Sequence, residues 1–409
     1  MYAFLKKREY GVLPPLTFKR AETTKRAYNL QLSVDKEISR SHRGKLISLG
    51  RLRICKSETK IVGAVNSIQI ETVEQRYMLS GGADGRIHVY DLAPSSIEKH
   101  KRISPLASVQ SPYRHAYSVS TVGWFPFDTG MFVSSSYDKT IQVWDTNAMM
   151  PACTFQLDSR VYCQAMSPIA SHCLVASAAA EPRIRLCDLK SGASAHSLAG
   201  HTGSVLSVAW SPRQEHILFS GGEDGTVRVW DIRRAAPCLM SLDQHNTPNN
   251  DPLNETNFAH GRGVNGLCFS SDGLYLITLG LDEKMRLWDT FTGRNMLVNY
   301  GAHWRNRFKS YMQATTSSSD VWPPLLHVPS DDHQVLVFEL LTGKLSRRLK
   351  GAYGRVTCVE RRPIFQELYS GSNDCEILVW EPFTTEAVDQ STEQSLLDAW
   401  SESEDDYEE

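Results

Sequence analysis

The sequence predicts an all-β fold, a seven-bladed β-propeller, carrying an N-terminal helical arm and an acidic C-terminal tail. Two periodicities carry this prediction. The first is an aromatic residue followed by an acid at the end of an alternating strand. It occurs as Tyr90-Asp91, Trp144-Asp145, Trp230-Asp231, Trp288-Asp289 and Trp380-Glu381, with Cys187-Asp188 and Phe338-Glu339 as weaker copies. The steps between these acids, 42 to 58 residues, suit four short strands with their loops. The second is an acid six residues before each aromatic position: Asp84, Asp138, Glu181, Asp224, Asp282, Asp332 and Asp374. Four residues before that acid stands a hydroxyl: Ser80, Ser134, Ser177, Ser220, Thr278 and Ser370. Only the sixth copy departs, with Val328.

This spacing implies a buried hydrogen-bond chain in each blade, because buried polar groups must be paired. The turn acid accepts from a histidine on the loop leading into the blade. The histidine bonds the strand hydroxyl, and the hydroxyl accepts the indole N–H of Trp144, Trp230, Trp288 or Trp380. His201 and His260 fit that loop position, and His42 is a candidate for the first blade. The seventh blade has Gly351-Ala352 there and lacks the histidine. Between the markers the strands alternate, as in Ser204 to Trp210 and Thr226 to Trp230. Asp84-Gly85, Asp224-Gly225 and Asp272-Gly273 supply turns.

Three segments stand outside the repeat. Residues 1–41 form the arm. Tyr2, Phe4 and Leu5 open an amphipathic stretch that stops at Pro14-Pro15, and a second helical stretch runs from about Leu16 to Leu30. From composition alone this arm either docks a partner or packs on its own propeller. Residues 42–383 hold the blades, and residues 384–409 form a tail too acidic to bury an apolar face. Within the blade region, residues 44–63 separate His42 from Val65 and fit no strand the repeat requires. They are expected to be a surface insertion or retained non-coding sequence. Two stretches read as long loops, Asp243 to Ala259 and the Ser/Thr-rich Tyr311 to Asp320 of an irregular sixth blade.

The net charge of −2 conceals a strong asymmetry. Residues 1–60 hold 15 Lys and Arg against 5 Asp and Glu, whereas residues 386–409 hold 10 acids and no Lys or Arg. Both ends read as partner-facing. The nine cysteines form no CxxC pair and no zinc spacing, which fits reduced core residues of a cytosolic or nuclear protein. Apolar runs are too short for a membrane span.

No GxSxG elbow, P-loop or HExxH is present, and the repeat already gives most Ser, His and Asp residues a structural place. The chain is therefore expected to be a binding scaffold without catalytic residues, metal or cofactor. A nucleic-acid surface is the alternative class. It rests on the basic N-terminal arm and on the run His303-Trp304-Arg305-Asn306-Arg307-Phe308-Lys309, where aromatics lie between cations. A third class is a peptide or histone reader.

The Trp-Asp repeats identify the WD40 type. Beyond them, Arg76 to Gly82, Asp128 to Phe132, Asp188 to Gly192, Leu242 to Asn246, Phe365 to Ser372 and Asp398 to Ser401 resemble the Cockayne syndrome A family of WD-repeat factors in transcription-coupled nucleotide excision repair. The resemblance runs over nearly the whole chain, and the 44–63 stretch departs from it. It implies the substrate-recognition subunit of a cullin-4 RING ubiquitin ligase, non-catalytic and nuclear. Its implied partners are the damage-binding adaptor protein, the Cockayne syndrome B remodeller and RNA polymerase II. The adaptor motif WDxR maps to Trp230-Asp231-Ile232-Arg233, with Asp224 as the preceding acid, and Tyr2, Phe4 and Leu5 map to a docking helix.

Overall fold

The structure, a computed structural model, describes residues 49–55, 63–92, 105–169, 171–247, 257–318 and 321–382, with the backbone alone at 49–55 and 381–382. The expectations for the 1–41 arm with Tyr2, Phe4 and Leu5, for His42 and for the 384–409 tail fall outside these residues.

The described strands form seven antiparallel sheets, one per predicted blade. The first strand, β1 (Leu49–Cys55), belongs to the last blade. Blade 1 is β2 (Val65–Ile70), β3 (Tyr77–Gly82), β4 (Ile87–Asp91) and β5 (Pro105–Ser108). Blade 2 is β6 (Val119–Trp124), β7 (Met131–Ser136), β8 (Thr140–Asp145) and β9 (Met150–Gln156). Blade 3 is β10 (Val161–Met166), β11 (Leu174–Ala179), β12 (Arg183–Asp188) and β13 (Ala193–Ala199). Blade 4 is β14 (Val205–Trp210), β15 (Ile217–Gly222), β16 (Val227–Asp231) and β17 (Cys238–Ser241). Blade 5 is β18 (Val264–Phe269), β19 (Tyr275–Gly280) and β20 (Met285–Asp289), with a single bridge from Trp288 to Asn295 where a fourth strand would lie. Blade 6 is β21 (Thr315–Thr316), β22 (Leu325–Ser330), β23 (Gln334–Glu339) and β24 (Leu345–Lys350). Blade 7 is β25 (Val356–Arg362), β26 (Glu367–Ser372) and β27 (Ile377–Pro382).

The inner strands of each sheet are packed between neighbouring blades, whereas outer strands such as β9 and β13 are largely exposed. Blades 1 and 2 meet through Leu79, Val119, Trp124, Phe132 and Trp144, with the Phe132 and Trp144 rings stacked 5.8 Å apart. Blades 7 and 1 meet through Val65, Ile68, Cys358, Tyr369 and Ile377. Gln313 fastens the same seam from inside: its Nε2 donates to Ile68 O at 2.6 Å and to Glu360 Oε2 at 2.8 Å.

Two sequence expectations are corrected here. The 44–63 stretch was expected to supply no strand, but β1 pairs with β27 from Leu49↔Pro382 to Cys55↔Ile377 and gives blade 7 its outer strand. Such a pairing covers an otherwise open edge. The non-coding alternative is tested by sequencing the transcript across codons 40–66. A continuous message in quantity leaves β1 as the natural closing strand. The Tyr311 to Asp320 stretch is not all loop: Thr315–Thr316 is the inner strand of blade 6, and Gln313 bridges to Cys358.

The two ends of every blade differ. Turns between second and third strands share one face with the loops running from blade to blade; this is termed the turn face. First-to-second and third-to-fourth connections lie on the opposite face. At the tip of the turn-face hairpins Gly85 and Gly225 take left-handed φ values of 78° and 77°, which glycine adopts without cost. Lys139, Glu283, His333 and Cys375 adopt the same region, φ 58° to 71°. Side chains pay about 1–2 kcal/mol for it. Lys139→Gly is therefore expected to raise the unfolding free energy by about 1 kcal/mol, read from the shift of the urea midpoint.

Candidate docking site

Among the described residues, three blades carry the full hydrogen-bond chain. In blade 4, His201 Nδ1 lies 3.0 Å from Asp224 Oδ2, His201 Nε2 lies 2.7 Å from Ser220 Oγ, and Trp230 Nε1 donates to Ser220 Oγ at 2.8 Å. The carboxylate can only accept, so the Nδ1–H donates to it and Nε2 accepts from the hydroxyl. Blade 5 repeats this with His260, Asp282, Thr278 and Trp288 at 2.9, 2.7 and 3.0 Å. Blade 2 does so with His115, Asp138, Ser134 and Trp144 at 2.8, 2.7 and 2.8 Å. Sequence reasoning missed His115. Its signal was the offset, because His115, His201 and His260 each stand four residues before the valine that opens an inner strand. Glycine makes room for the ring: a Cβ on Gly222 would lie 2.5 Å from His201 Nδ1, and one on Gly280 would lie 2.2 Å from His260 Nδ1.

The remaining blades depart in graded steps. In blade 7 Trp380 donates to Ser370 at 2.9 Å, and Asp374 accepts from the backbone N–H of Tyr353 and Gly354 in place of a histidine. In blade 3 the Ser177 hydroxyl donates to Arg185 O, while Glu181 takes Ser159 and Arg185. The expected histidine-type chain through Ser177 and Glu181 is thus absent. In blade 1 Ser80 and Asp84 hold the corresponding positions beside Tyr90, and Asp84 accepts from the Arg86 N–H at 3.1 Å. In blade 6, where Val328 offers no hydroxyl, Trp304 packs with Val328 and Phe338 and donates to Pro329 O at 2.8 Å.

Ser220, His201 and Asp224 have the connectivity of a nucleophilic triad but not its access. The Ser220 hydroxyl is fully buried and already accepts the indole N–H. These constellations are structural. Burial opposes ionisation of Asp224, yet hydrogen bonds from His201, Thr202 and Thr226 outweigh it and hold the carboxyl well below its ordinary range. The same balance brings Asp138 down to about 2. Burial lowers the pKa of His260, so that ring is neutral in the fold. Its unfolded pKa, about 6.5, is the higher of the two. Stability from keeping His260 neutral is thus present above pH 6.5 and lost as pH falls towards the folded value, because the unfolded chain takes up the proton first. A melting temperature that declines from pH 7.5 to 5 is expected, with a shallower slope in His260→Gln.

On the opposite face two arginines are both fixed and accessible: Arg76, held through both oxygens of Asp91 at 3.0 and 2.8 Å, and Arg233, the more exposed of the two, on the more deeply buried acid. The acids of the Trp-Asp pairs close the turn after the third strand: Asp145, Asp188 and Asp289 accept the N–H two residues on. Asp231 does the same for Arg233 at 3.1 Å, then takes the Arg233 guanidinium through both oxygens, Nε at 2.9 Å and Nη2 at 2.8 Å. The Arg233 hydrogen bond, acting against slight burial, brings the Asp231 carboxyl down to about 2. Asp231 is 5% exposed and Arg233 63%. Trp230 is fully buried. Of the WDxR residues, Trp230 and Asp231 therefore cannot meet a partner directly; they position Arg233. A bidentate pair leaves the remaining guanidinium N–H groups pointing outward in a set plane.

The 303–309 run is not a free basic strip. Trp304 and Asn306 are buried. Arg305 and Arg307 pair with Glu283 at 2.5 and 3.0 Å, and Lys309 pairs with Glu223. Its cations have carboxylate partners and its tryptophan is core, which weakens the part of the nucleic-acid alternative that rests on this loop; the basic arm lies outside the described residues. Among the described residues no group of His, Cys, Asp and Glu is placed to hold a metal.

Seven sheets with these indole-hydroxyl-histidine-acid chains define a WD40 repeat propeller, a scaffold and receptor fold. The family model "WD domain, G-beta repeat" matches residues 107–145, 192–231 and 253–289. The WD repeat-containing protein ATCSA-1 of Arabidopsis thaliana is 32% identical over 93% of this chain and 95% of its own length. On that likeness the chain belongs to the Cockayne syndrome A-like family of WD40 repeat proteins. Radiation-sensitive protein 28 of Saccharomyces cerevisiae is 27% identical over 51% of this chain and 45% of its own length. A ribosome biogenesis protein WDR12 homologue of Chlamydomonas reinhardtii is 35% identical over 32% of this chain and 30% of its own length.

Proposed function

We propose that this chain is the substrate-recognition subunit of a nuclear cullin-4 RING ubiquitin ligase acting in transcription-coupled repair at stalled RNA polymerase II. The observation that carries this reading is the exposed Arg233 held by the buried Asp231. An isolated surface arginine loses side-chain entropy on binding; one already fixed by a bidentate carboxylate loses less. Arg233 then offers its outer N–H groups to carbonyls or a carboxylate of the damage-binding adaptor protein. The basic arm, with Tyr2, Phe4 and Leu5, supplies the second adaptor contact. Targets such as the Cockayne syndrome B remodeller or polymerase subunits are brought near the ligase-bound ubiquitin donor, and the gain is one of effective concentration. This chain supplies no reacting group.

Adaptor co-purification tests the reading. Deleting residues 1–13 is expected to reduce the adaptor recovered with the full propeller, since an apolar helical anchor is removed, while the melting temperature stays that of the intact chain. Undiminished recovery from both this deletion and Arg233→Ala would leave the ligase assignment without support.

A further inference from the structure

On the turn face most of the described carboxylates have a partner within the chain, although Asp158 stays 81% exposed. Asp138, Asp224 and Asp282 face histidines, Glu223 and Glu283 hold the 303–309 loop, Asp331 holds Arg355, and Asp158 and Glu181 hold Arg185. Asp332 has no ion-pair partner among the described residues. Arg114, Lys139, Arg160, Arg262 and Lys284 are exposed and have no carboxylate partner among the described residues. The face thus presents cations to solvent although its residues are nearly balanced in charge.

At its centre lies a contiguous aromatic patch. Tyr137 and Tyr162 meet edge to face with centroids 5.9 Å apart. Arg355 lies 4.4 Å from the Phe308 ring centroid and acts electrostatically on Tyr137, as does Arg160. Lys309 sits near Tyr162. Phe308 is 53% exposed, and Tyr353, beside Arg355 in sequence, is 86% exposed. The backbone that carries Phe308 is pinned, because Asn265 Nδ2 donates to both Phe308 O and Ser310 O. Aromatics with Arg160 beside them, on a face whose other exposed cations have no carboxylate partner among the described residues, fit an acidic segment that also carries aromatic or leucine side chains.

This chain contains such a segment. Residues 386–409 hold 10 acids and no Lys or Arg, together with Leu396, Leu397, Trp400 and Tyr407. The described chain ends at Pro382, on the face away from the patch, and 27 residues follow. A six-residue strand is about 20 Å long. At about 3.3 Å per extended residue, roughly ten residues climb the outer edge, and the most acidic part is left to lie across the face. We infer that the acidic tail docks on the turn face over Phe308, Tyr137 and Tyr162 and competes there with incoming protein targets.

The full-length chain carrying Trp400→p-benzoylphenylalanine tests this. Irradiation is expected to give intramolecular cross-links to peptides containing Tyr137, Tyr162 or residues 303–310. Their yield should fall severalfold in about 0.5 M salt, where charges separated by more than a few ångströms are screened. It should fall likewise in an Arg114→Glu, Arg160→Glu variant, whose exposed positions lie outside the hydrogen-bond chains. Hydrogen exchange in 303–310 should quicken when the ten tail acids are replaced by Asn and Gln in the full chain. Cross-links to the basic arm at residues 1–60, cross-links only between molecules, or exchange unaffected by the tail would each overturn the inference.

Discussion

Asp224→Ala is expected to lower the unfolding free energy by about 3 kcal/mol, the upper part of the range for leaving a buried donor without its partner. The loss is this large because one carboxylate serves His201, the Thr202 N–H and the Thr226 hydroxyl together. Without it the His201 Nδ1–H has Thr226 as its remaining neighbour, and the ring no longer holds the Ser220 hydroxyl beneath Trp230. Glu181→Ala provides the contrast. Glu181 occupies the same place in blade 3, but its partners are Ser159 and the partly exposed Arg185. A loss below about 1 kcal/mol is expected there. Urea midpoints for both variants measure the difference. Equal losses would show that the position, and not the histidine, sets the energy.

The second large effect concerns binding and not stability. Arg233→Ala is expected to weaken adaptor affinity at least about thirtyfold, the scale of a 2 kcal/mol hot-spot arginine. The melting temperature should hold, because the side chain is mostly solvent-exposed and Asp231 keeps the turn N–H. Arg233→Lys keeps the charge but cannot make two parallel bonds to Asp231 while presenting a planar donor edge, so it should fall between wild type and alanine. Arg234→Ala is the natural control. Arg234 is equally exposed but reaches Asp231 only at 3.6 Å, and nothing sets its direction.

How much of this was legible in the sequence depends on whether the relevant contact is local. Ser220, Asp224 and Trp230 share one hairpin, so their spacing alone places them on one side of a sheet, and the blade count follows. His115 was missed because Arg114, and not a small residue as in Gly200-His201 and Ala259-His260, precedes it; the four-residue offset could have found it. Strand β1 was illegible for a different reason. Arg51-Leu52-Arg53-Ile54 alternates as a strand does, but its partner β27 lies at the other end of the chain, so nothing short-range announces the pairing. The 303–309 run was read as basic because its neutralising acids, Glu223 and Glu283, come from other blades. Trp304 looked like a stacking residue because the missing hydroxyl at Val328 does not by itself say what fills the gap. The WDxR motif was visible as letters, but its division of labour was not: burial makes Trp230 and Asp231 supports and leaves Arg233 as the contact.

The ligase reading turns on that one contact. Its most direct test is a titration of purified adaptor protein onto the full-length chain, wild type against Arg233→Ala, with melting temperatures recorded on the same samples. The account predicts matching melting temperatures and an affinity at least about thirtyfold weaker for the variant. Equal affinities at equal stability would contradict it.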